Sequence, residues 1–306
     1  MNNHRQVVIV GLVALVLSGC GESNESPKLP YSTIRTWPIP VQGKVVPAPR
    51  TIAVGHDDEV YVLDTAGRVV VYDPEGQVLR QWMMPEYEVG KPEGLCMLHD
   101  GRIVVADTHY HRIVIFDNQG KVLEMRGKHG TATGEYIYPV AVIEDPGHNL
   151  YVAEYGSNDR IQKYDSSGNH ITSMGSFGTK PGAFQRPSGM VWHADHLYVA
   201  DAINNRIQVF TDDGNFVGVL KDGKGVRPQL HFPYDICLGP SNHLFVVEYG
   251  AGRVTKLGLD GTVVGRFGST GRGRGQFSTP WGLAVDGQDR LRVADTGNRR
   301  IVELVY

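Results

Sequence analysis

The sequence has no basic tract and no stretch in which basic and aromatic residues alternate, and its formal net charge is −3. Nucleic acid is therefore not a favoured partner. The sequence also lacks a Gly-x-Ser-x-Gly elbow, a His-Glu-x-x-His pair and a phosphate-binding loop. No linear motif indicates catalysis, although a ring of repeats can assemble a site without one.

The composition is that of an ordinary globular chain. Its 306 residues are 41% hydrophobic and 21% charged, which is enough to build a sizeable core. Glycine is unusually frequent, with 38 residues and no collagen period. This abundance predicts many tight turns and hence many short strands.

The N-terminus has the pattern of a signal peptide. Arg5 precedes an apolar stretch from Val7 to Leu17, which is too short to span a bilayer comfortably. The stretch ends in Leu17-Ser18-Gly19-Cys20. This ending resembles the lipobox of bacterial lipoproteins, and the alternative is a conventional signal cleaved near the same place.

The lipobox resemblance implies a membrane-anchored protein. Residues 1–19 would be the signal peptide, and Cys20 would carry the lipid (palmitate and related acyl chains) that attaches the chain to the membrane. Residues 20–30, rich in Ser, Glu, Asn and Pro, are predicted to be a flexible tether. The implied address is the bacterial cell envelope. In a Gram-negative host, Gly21 resembles the outer-membrane sorting pattern, with the protein on the periplasmic or surface face.

The remaining chain contains a repeat. Apolar runs end in an acidic residue at similar places, and from the second copy onward these acids are 47 residues apart. The acids are Asp64, Asp107, Glu154, Asp201, Glu248 and Asp295. A period of 40 to 50 residues is typical of a β-propeller blade.

Each repeat has the same internal order. A proline opens an apolar run, a second run ends at the acid, an arginine begins a third run, and a turn leads to a fourth. Short β-branched runs bounded by turn residues indicate a four-stranded antiparallel meander. The sequence therefore predicts an all-β, six-bladed propeller over residues 31–306.

The two ends of the chain complete each other. The last repeat stops after its third run, whereas residues 32–37 match the fourth run of the first repeat, residues 77–82. We expect the N-terminal strand to pair into the last blade and close the ring, which removes the exposed sheet edges.

Two runs resemble the core of an NHL repeat. They are residues 197–207 (LYVADAINNRI) and 293–301 (VADTGNRRI). The resemblance extends over about residues 45 to 306 and gains its specificity from the repetition. It implies a six-bladed propeller of the NHL kind.

Most of the repeated residues have a structural interpretation. The acid and the following arginine recur in every repeat, so ion pairs explain them better than catalysis does. Phe184 and Phe277 are predicted to fill the space between blades. Cys96 and Cys237 lie three periods apart, on opposite sides of the predicted ring, where a disulfide cannot join them. We expect two buried, unpaired thiols.

A functional site is expected where the repeats differ. The residue after each blade-opening proline lies at the predicted channel mouth, and this set comprises Glu93, Val140, Ser188, Tyr234 and Trp281. Asp235 replaces a glycine of other repeats. The pairs Glu154-Tyr155 and Glu248-Tyr249 replace the usual aspartate, although an ion pair also explains the glutamates. Together these residues could hold a small amphipathic ligand or a peptide.

A metal is a further hypothesis for the same face. His109, His111, His129 and His231 lie in its loops, and with Glu93 they could bind one divalent ion, calcium or zinc. The chain is similar to the propellers of peptidyl-hydroxyglycine amidating lyases, but the zinc histidines expected after the prolines are absent. Regucalcin-like lactonases are also similar, with Glu93 and Asp235 matching part of their metal set and Ser188 replacing the expected Asn. No cofactor is therefore predicted outright.

The sequence favours a non-catalytic propeller that is tethered to the membrane and binds a protein, peptide or small molecule through its channel mouth. The alternative is a metal-dependent lyase or hydrolase with its ion at that mouth. A redox propeller is a third interpretation, and nothing in the sequence resembles the repeats of quinoproteins.

Overall fold

The computed structural model describes residues 27–31 and 33–305. The predicted signal peptide 1–19 and the lipidation site Cys20 lie outside the described residues, as does most of the predicted tether. Residues 27–29 of that tether lie against blade 5, where the Leu29 amide donates to the Arg266 carbonyl, the Arg266 amide donates to the Pro27 carbonyl, and Leu29 is buried. The described residues thus include four that precede the predicted boundary at residue 31.

The chain forms six four-stranded sheets, each an antiparallel meander. The strands of blade 1 are Pro49–Val54, Val60–Asp64, Arg68–Tyr72 and Val78–Met83. Those of blade 2 are Gly94–Met97, Ile103–Asp107, Arg112–Phe116 and Val122–Arg126. Those of blade 3 are Tyr138–Glu144, Leu150–Tyr155, Arg160–Tyr164 and His170–Met174. In blades 4 and 5 they are Pro187–His193, His196–Asp201, Arg206–Thr211 and Phe216–Val219; and Pro233–Leu238, His243–Glu248, Arg253–Gly258 and Val263–Phe267. Blade 6 comprises Leu283–Val285, Leu291–Asp295, Arg300–Val305 and the N-terminal strand Thr33–Pro38.

The first strand of each blade contacts the first strands of its neighbours, so these six inner strands surround a central channel. Short elements complete the connections, namely the parallel pair Ser269–Thr270 and Gln276–Phe277 and the 3₁₀ turns Thr108–Tyr110 and Thr296–Asn298. Within the part of the chain that is described, no helix has the length and apolarity to cross a bilayer. The all-β, six-bladed prediction is confirmed.

The predicted ring closure is also confirmed. Residues 33–38 pair antiparallel with the last strand, in a register that sets Trp37 opposite Ile301. The Trp37 ring packs 5.7 Å from Tyr72 of blade 1, so it joins the last blade to the first. Gly76 makes this approach possible, since a Cβ there would lie 2.7 Å from the indole.

All six acid and arginine pairs are intrablade ion pairs whose acids are fully buried. A representative contact is Asp201 with Arg206, at 2.7 Å. Phe184 and Phe277 are fully buried between blades, as predicted. Cys96 and Cys237 are unpaired, as expected, but they are only partly buried because both face the channel.

Candidate functional site

The channel mouth is built by the blade-opening prolines. Each proline lies at or just before the start of an inner strand, and in blades 1, 3, 4 and 5 the strand register shifts just after it. Five of these residues, Glu93, Val140, Ser188, Tyr234 and Trp281, line a channel cavity of about 270 Å³. Arg50 occupies the same position after Pro49 of blade 1, and it is not among the residues predicted from the sequence.

Glu93 is the centre of the mouth. Its side chain is buried, and Oε2 accepts a hydrogen bond from Arg186 Nη2 at 2.8 Å. Arg50 Nη1 lies 3.6 Å from the other carboxylate oxygen. Two guanidinium groups thus share one carboxylate, so the trio of Arg50, Glu93 and Arg186 carries one positive charge in excess.

Arg186 connects the charged centre to the aromatic wall. Its Nε donates to the Tyr234 hydroxyl at 2.9 Å, and its guanidinium lies 3.9 Å from the centre of the Tyr155 ring. Burial alone would lower the pKa of the Arg186 guanidinium, but Tyr234, Glu93 and Tyr155 raise it above its ordinary value. Arg186 therefore stays charged at every physiological pH.

Backbone geometry explains why Arg186 reaches inward. It lies in the left-handed region with φ of 62°, immediately before Pro187. Its amide donates to the buried Asp159 carboxylate at 2.6 Å, and burial raises the pKa of that carboxyl. A loop of blade 3 thus holds in place an arginine that belongs to blade 4.

Aromatic rings form the rest of the wall. Tyr234 meets Trp281 edge-on with ring centres 4.4 Å apart, and Tyr249 lies 5.7 Å from Tyr234. The Arg50 guanidinium lies 4.8 Å from the Trp281 ring. Burial, followed by the nearby Glu93 charge, raises the pKa of Tyr155 and Tyr234, so both hydroxyls remain protonated. The surface can receive both an apolar group and a hydrogen-bonding group.

Two polar groups of the mouth have no protein partner in the structure. Ser188 is 7% exposed, and its hydroxyl makes no hydrogen bond. Arg50 Nε is also buried without a partner. Buried polar atoms are nearly always hydrogen-bonded in native proteins, so these groups suit a bound ligand or water.

Asp235 lies in the channel, next to Tyr234. Its carboxylate accepts hydrogen bonds from the backbone amides of Ile236 at 2.9 Å and Leu283 at 3.2 Å. Burial nevertheless raises the pKa of Asp235 to about 7, because two hydrogen bonds replace only part of the lost hydration.

The raised pKa of Asp235 predicts a pH-dependent stability. The pKa of Asp235 is about 7 in the folded chain and 3.8 ordinarily, so between these pH values the folded chain holds a proton that the unfolded chain releases. Stability is therefore lost as the pH rises between these values. From about pH 6 to about pH 8 we expect the wild type to lose about 1 kcal/mol of unfolding free energy relative to Asp235→Asn. Urea unfolding checks this, with the exposed Asp57→Asn as control; parallel curves for wild type and Asp235→Asn would contradict it.

Of the remaining predicted residues, the two glutamates lie outside the channel mouth and the two tyrosines belong to it. Glu154 and Glu248 are fully buried, and their carboxylates pair with Arg160 and Arg253 at 2.7 Å. Tyr155 and Tyr249, which follow them, do belong to the aromatic wall.

The structure does not gather the predicted metal ligands. The rings of His111 and His129 are 4.6 Å apart, His109 faces the Lys91 carbonyl, and His231 is exposed. Glu93 is engaged by arginines instead. Within residues 27–31 and 33–305, the one group of three ligating side chains close enough to share an ion is a different one, His99, Glu144 and His148.

The six four-stranded sheets form a six-bladed β-propeller, and its channel contains a cavity of about 270 Å³. The NHL repeat family model matches residues 90–116 of this chain. The chain is thus a six-bladed β-propeller that contains an NHL repeat, as the sequence resemblance implied.

Among curated proteins, the chain is 28% identical over 158 residues to Protein brain tumor of Drosophila melanogaster. It is 32% identical over 143 residues to peptidylglycine alpha-amidating monooxygenase of Rattus norvegicus. These matches cover 47% and 42% of this chain but only 15% of each relative. The similarity therefore concerns about half of this chain and a small part of much longer proteins.

Three solved structures show how widely the fold is used. Virginiamycin B lyase from Staphylococcus aureus has a TM-score of 0.64 at 17% identity, covering 90% of this chain and 99% of that one. A gluconolactonase from Xanthomonas campestris has a TM-score of 0.67 at 14% identity, covering 92% and 94%. An auxiliary nutrient binding protein from Bacteroides ovatus has a TM-score of 0.66 at 13% identity, covering 89% and 76%. At these identities the likeness concerns the fold alone.

Proposed function

We propose that this propeller is a binding protein of the bacterial cell envelope, tethered by a lipid on Cys20, whose channel mouth holds a small anionic molecule with an apolar body. The observation that carries the proposal is the cluster of Arg50, Arg186 and Glu93 inside an aromatic wall. Blades 1, 2 and 4 supply its charged groups, so the site exists only in the closed ring.

Charge selects the ligand class. The two guanidinium groups share a single carboxylate, and each retains some contact with solvent, with 16% and 18% of the side chain exposed. A carboxylate or phosphate ligand can therefore reach them, and arginine binds such groups with two parallel hydrogen bonds. An anion is favoured over a cation because the excess charge is positive.

Shape limits the ligand to a small one. The cavity of about 270 Å³ is slightly smaller than most ligand sites, whose usual range is about 300–1,000 Å³. Trp281 and Tyr234 line the cavity with aromatic rings, and the unpartnered Ser188 hydroxyl offers one hydrogen bond. Small acids with an aromatic or aliphatic body, and peptide C-termini, fit this combination.

The test is a thermal-shift panel of small carboxylates, acidic sugars, phosphate esters and short peptides. We expect anionic amphipathic compounds to raise the melting temperature. Arg186→Gln should weaken their binding about tenfold, since one charge-assisted hydrogen bond contributes about 1.5–3 kcal/mol. Arg274→Gln, on the exposed connection into blade 6, is the matched control.

Two results would count against the proposal. Equal binding by wild type and Arg186→Gln would move the ligand away from the mouth, and a panel that stabilises only with cations would reverse the charge assignment. The tether is checked separately, because a Cys20→Ser chain should leave the membrane fraction while its propeller binds the same ligand.

A second candidate function is lyase or hydrolase chemistry in the channel, and Asp235 is the observation that favours it. A carboxyl with a pKa of about 7 suits general acid–base catalysis, and it lies in the cavity beside Tyr234. The residues at the mouth do not fit a divalent metal, because Arg186 and Arg50 hold Glu93 and the other post-proline residues are Val140, Ser188, Tyr234 and Trp281. Turnover of a ligand that Asp235→Asn binds but does not convert would establish this function.

A further inference from the structure

A group of three metal-ligating side chains lies at the end of the propeller opposite the prolines. His99 follows the inner strand of blade 2, Glu144 is the last residue of the inner strand of blade 3, and His148 precedes the second strand of blade 3. The turns that join first and second strands of neighbouring blades thus supply the group. It is separate from the channel mouth, where the inner strands begin.

The carboxylate at its centre is fixed. The Glu144 side chain is 7% exposed, and its Oε2 accepts the backbone N–H of His99 at 2.6 Å. A backbone donor from one blade therefore orients a carboxylate that belongs to the next.

The turn that carries His148 is also well defined. Asp145 Oδ1 accepts the amides of Gly147 and Asn149, both at 2.9 Å, and the His148 amide donates to the Asp145 carbonyl. His148 itself has a φ of 63°, in the left-handed region that this tight turn requires. The imidazole is thereby placed beside Glu144.

The three side chains have distances close to those of a zinc site. His99 Nδ1 lies 2.9 Å from Glu144 Oε2, and His148 Nδ1 lies 3.1 Å from Oε1. The rings are 5.4 Å apart at an interplanar angle of 87°, and ligand atoms of all three residues lie within 4.8 Å of one another. Zinc bonds of about 2.1 Å in a tetrahedron separate ligand atoms by about 3.4 Å, so small side-chain rotations suffice.

We propose that His99, Glu144 and His148 bind one divalent transition-metal ion of the zinc class, which links blades 2 and 3. Two imidazoles and a carboxylate are ligands that zinc accepts, whereas calcium and magnesium prefer oxygen alone. The two rings are about half exposed, with 47% and 58% of the side chain accessible, so an ion can enter from solvent. With three protein ligands, the fourth position is open to water, beside a cavity of about 300 Å³ that Glu144 and His148 also line.

The test uses the full chain in mild detergent, with an affinity tag free of histidine and with prior metal removal by a chelator. Zn²⁺ is titrated in competition with a chromophoric chelator. We expect one equivalent of tightly bound Zn²⁺, an affinity at least about 100-fold lower in His99→Ala and in His148→Ala, and no competition from Ca²⁺ or Mg²⁺. Co²⁺ should give the visible absorption of a tetrahedral site in the wild type and lose it in both variants.

The control is His243→Ala. His243 follows the corresponding turn of blade 5, where its ring contacts Ser241, so it tests for nonspecific imidazole binding on the same face. Zn²⁺ should raise the melting temperature of the wild type and of His243→Ala, but not that of the His99→Ala/His148→Ala double variant.

Two outcomes would overturn the proposal. One equivalent of Zn²⁺ retained by the double variant would place the metal elsewhere, and the absence of stoichiometric Zn²⁺ binding in a folded wild type would leave His99, Glu144 and His148 as an ion-paired cluster. Cooperative unfolding of each variant in chelator shows whether the fold is intact. Glu144→Gln, which keeps the shape of the side chain and reduces its strength as a ligand, gives a second measure that does not depend on losing a ring.

Discussion

A Trp37→Ala chain should unfold with a free energy about 3–5 kcal/mol below that of the wild type. Trp37 is 4% exposed and belongs to the N-terminal strand that completes blade 6. Its ring lies 5.7 Å from Tyr72 in blade 1 and 4.9 Å from the buried Arg292 guanidinium. Removing the indole leaves a cavity at the joint where the ring closes, and the surrounding strands cannot collapse into it without breaking their pairing.

Equilibrium urea unfolding, followed by circular dichroism, measures this loss. Thr36→Ala is the matched control, because it changes an exposed residue of the same strand and should shift the free energy by no more than about 0.5 kcal/mol. A Trp37→Ala loss below about 1 kcal/mol would mean that the N-terminal strand contributes little to closure. The ring would then be held mainly by contacts between inner strands.

Much of the fold follows from the sequence because the blade is a local structure. Each meander pairs strands that are neighbours in the chain, so the order of runs and turns within one period determines the pairing. The ring closure was predictable for a related reason, since residues 32–37 match the fourth run of a blade that the last repeat lacks. The buried acid and arginine pairs followed from their recurrence in every blade.

Arg186 was not predictable from that periodicity. The repeat places the residue after each proline at the channel, whereas Arg186 precedes its proline and reaches inward through a left-handed backbone conformation. Its partner Glu93 is 93 residues away, and Asp159 holds its amide from another blade. The signal in the sequence is the residue that precedes each blade-opening proline. At this position only Lys91 and Arg186 are cationic.

The metal ligands predicted from the sequence, His109, His111, His129 and His231, lie at the proline end, and within the described residues they do not form a group of three that could share an ion. His99 precedes Glu144 and His148 by 45 and 49 residues, close to one period of 47, so equivalent turns of adjacent blades carry them. The signal in the sequence is therefore a spacing of about one period between ligating residues.

Glu93→Ala should have the second large effect, a loss of about 2–4 kcal/mol of unfolding free energy. Breaking a fully buried ion pair by removing one partner costs about 3–5 kcal/mol, and the partial exposure of Arg186 and Arg50 reduces that figure. Glu93→Gln should cost less, because its amide oxygen still accepts from Arg186. Adding Arg186→Gln to Glu93→Ala should recover part of the loss, since it removes one of the two uncompensated charges.

Urea unfolding of the single and double variants measures this coupling, with the surface pair Glu124 and Arg126, of which Arg126 is partly buried, as a control that should cost less than about 1 kcal/mol. The same Glu93 variants should bind anionic ligands more tightly, because the competing carboxylate is gone. Opposite effects on stability and affinity are expected where charges serve both fold and ligand. If Glu93→Ala instead leaves stability unchanged and weakens anion binding, then Glu93 contacts the ligand directly. In that case the protein folds stably without the ion pairs that Glu93 makes with the two guanidinium groups.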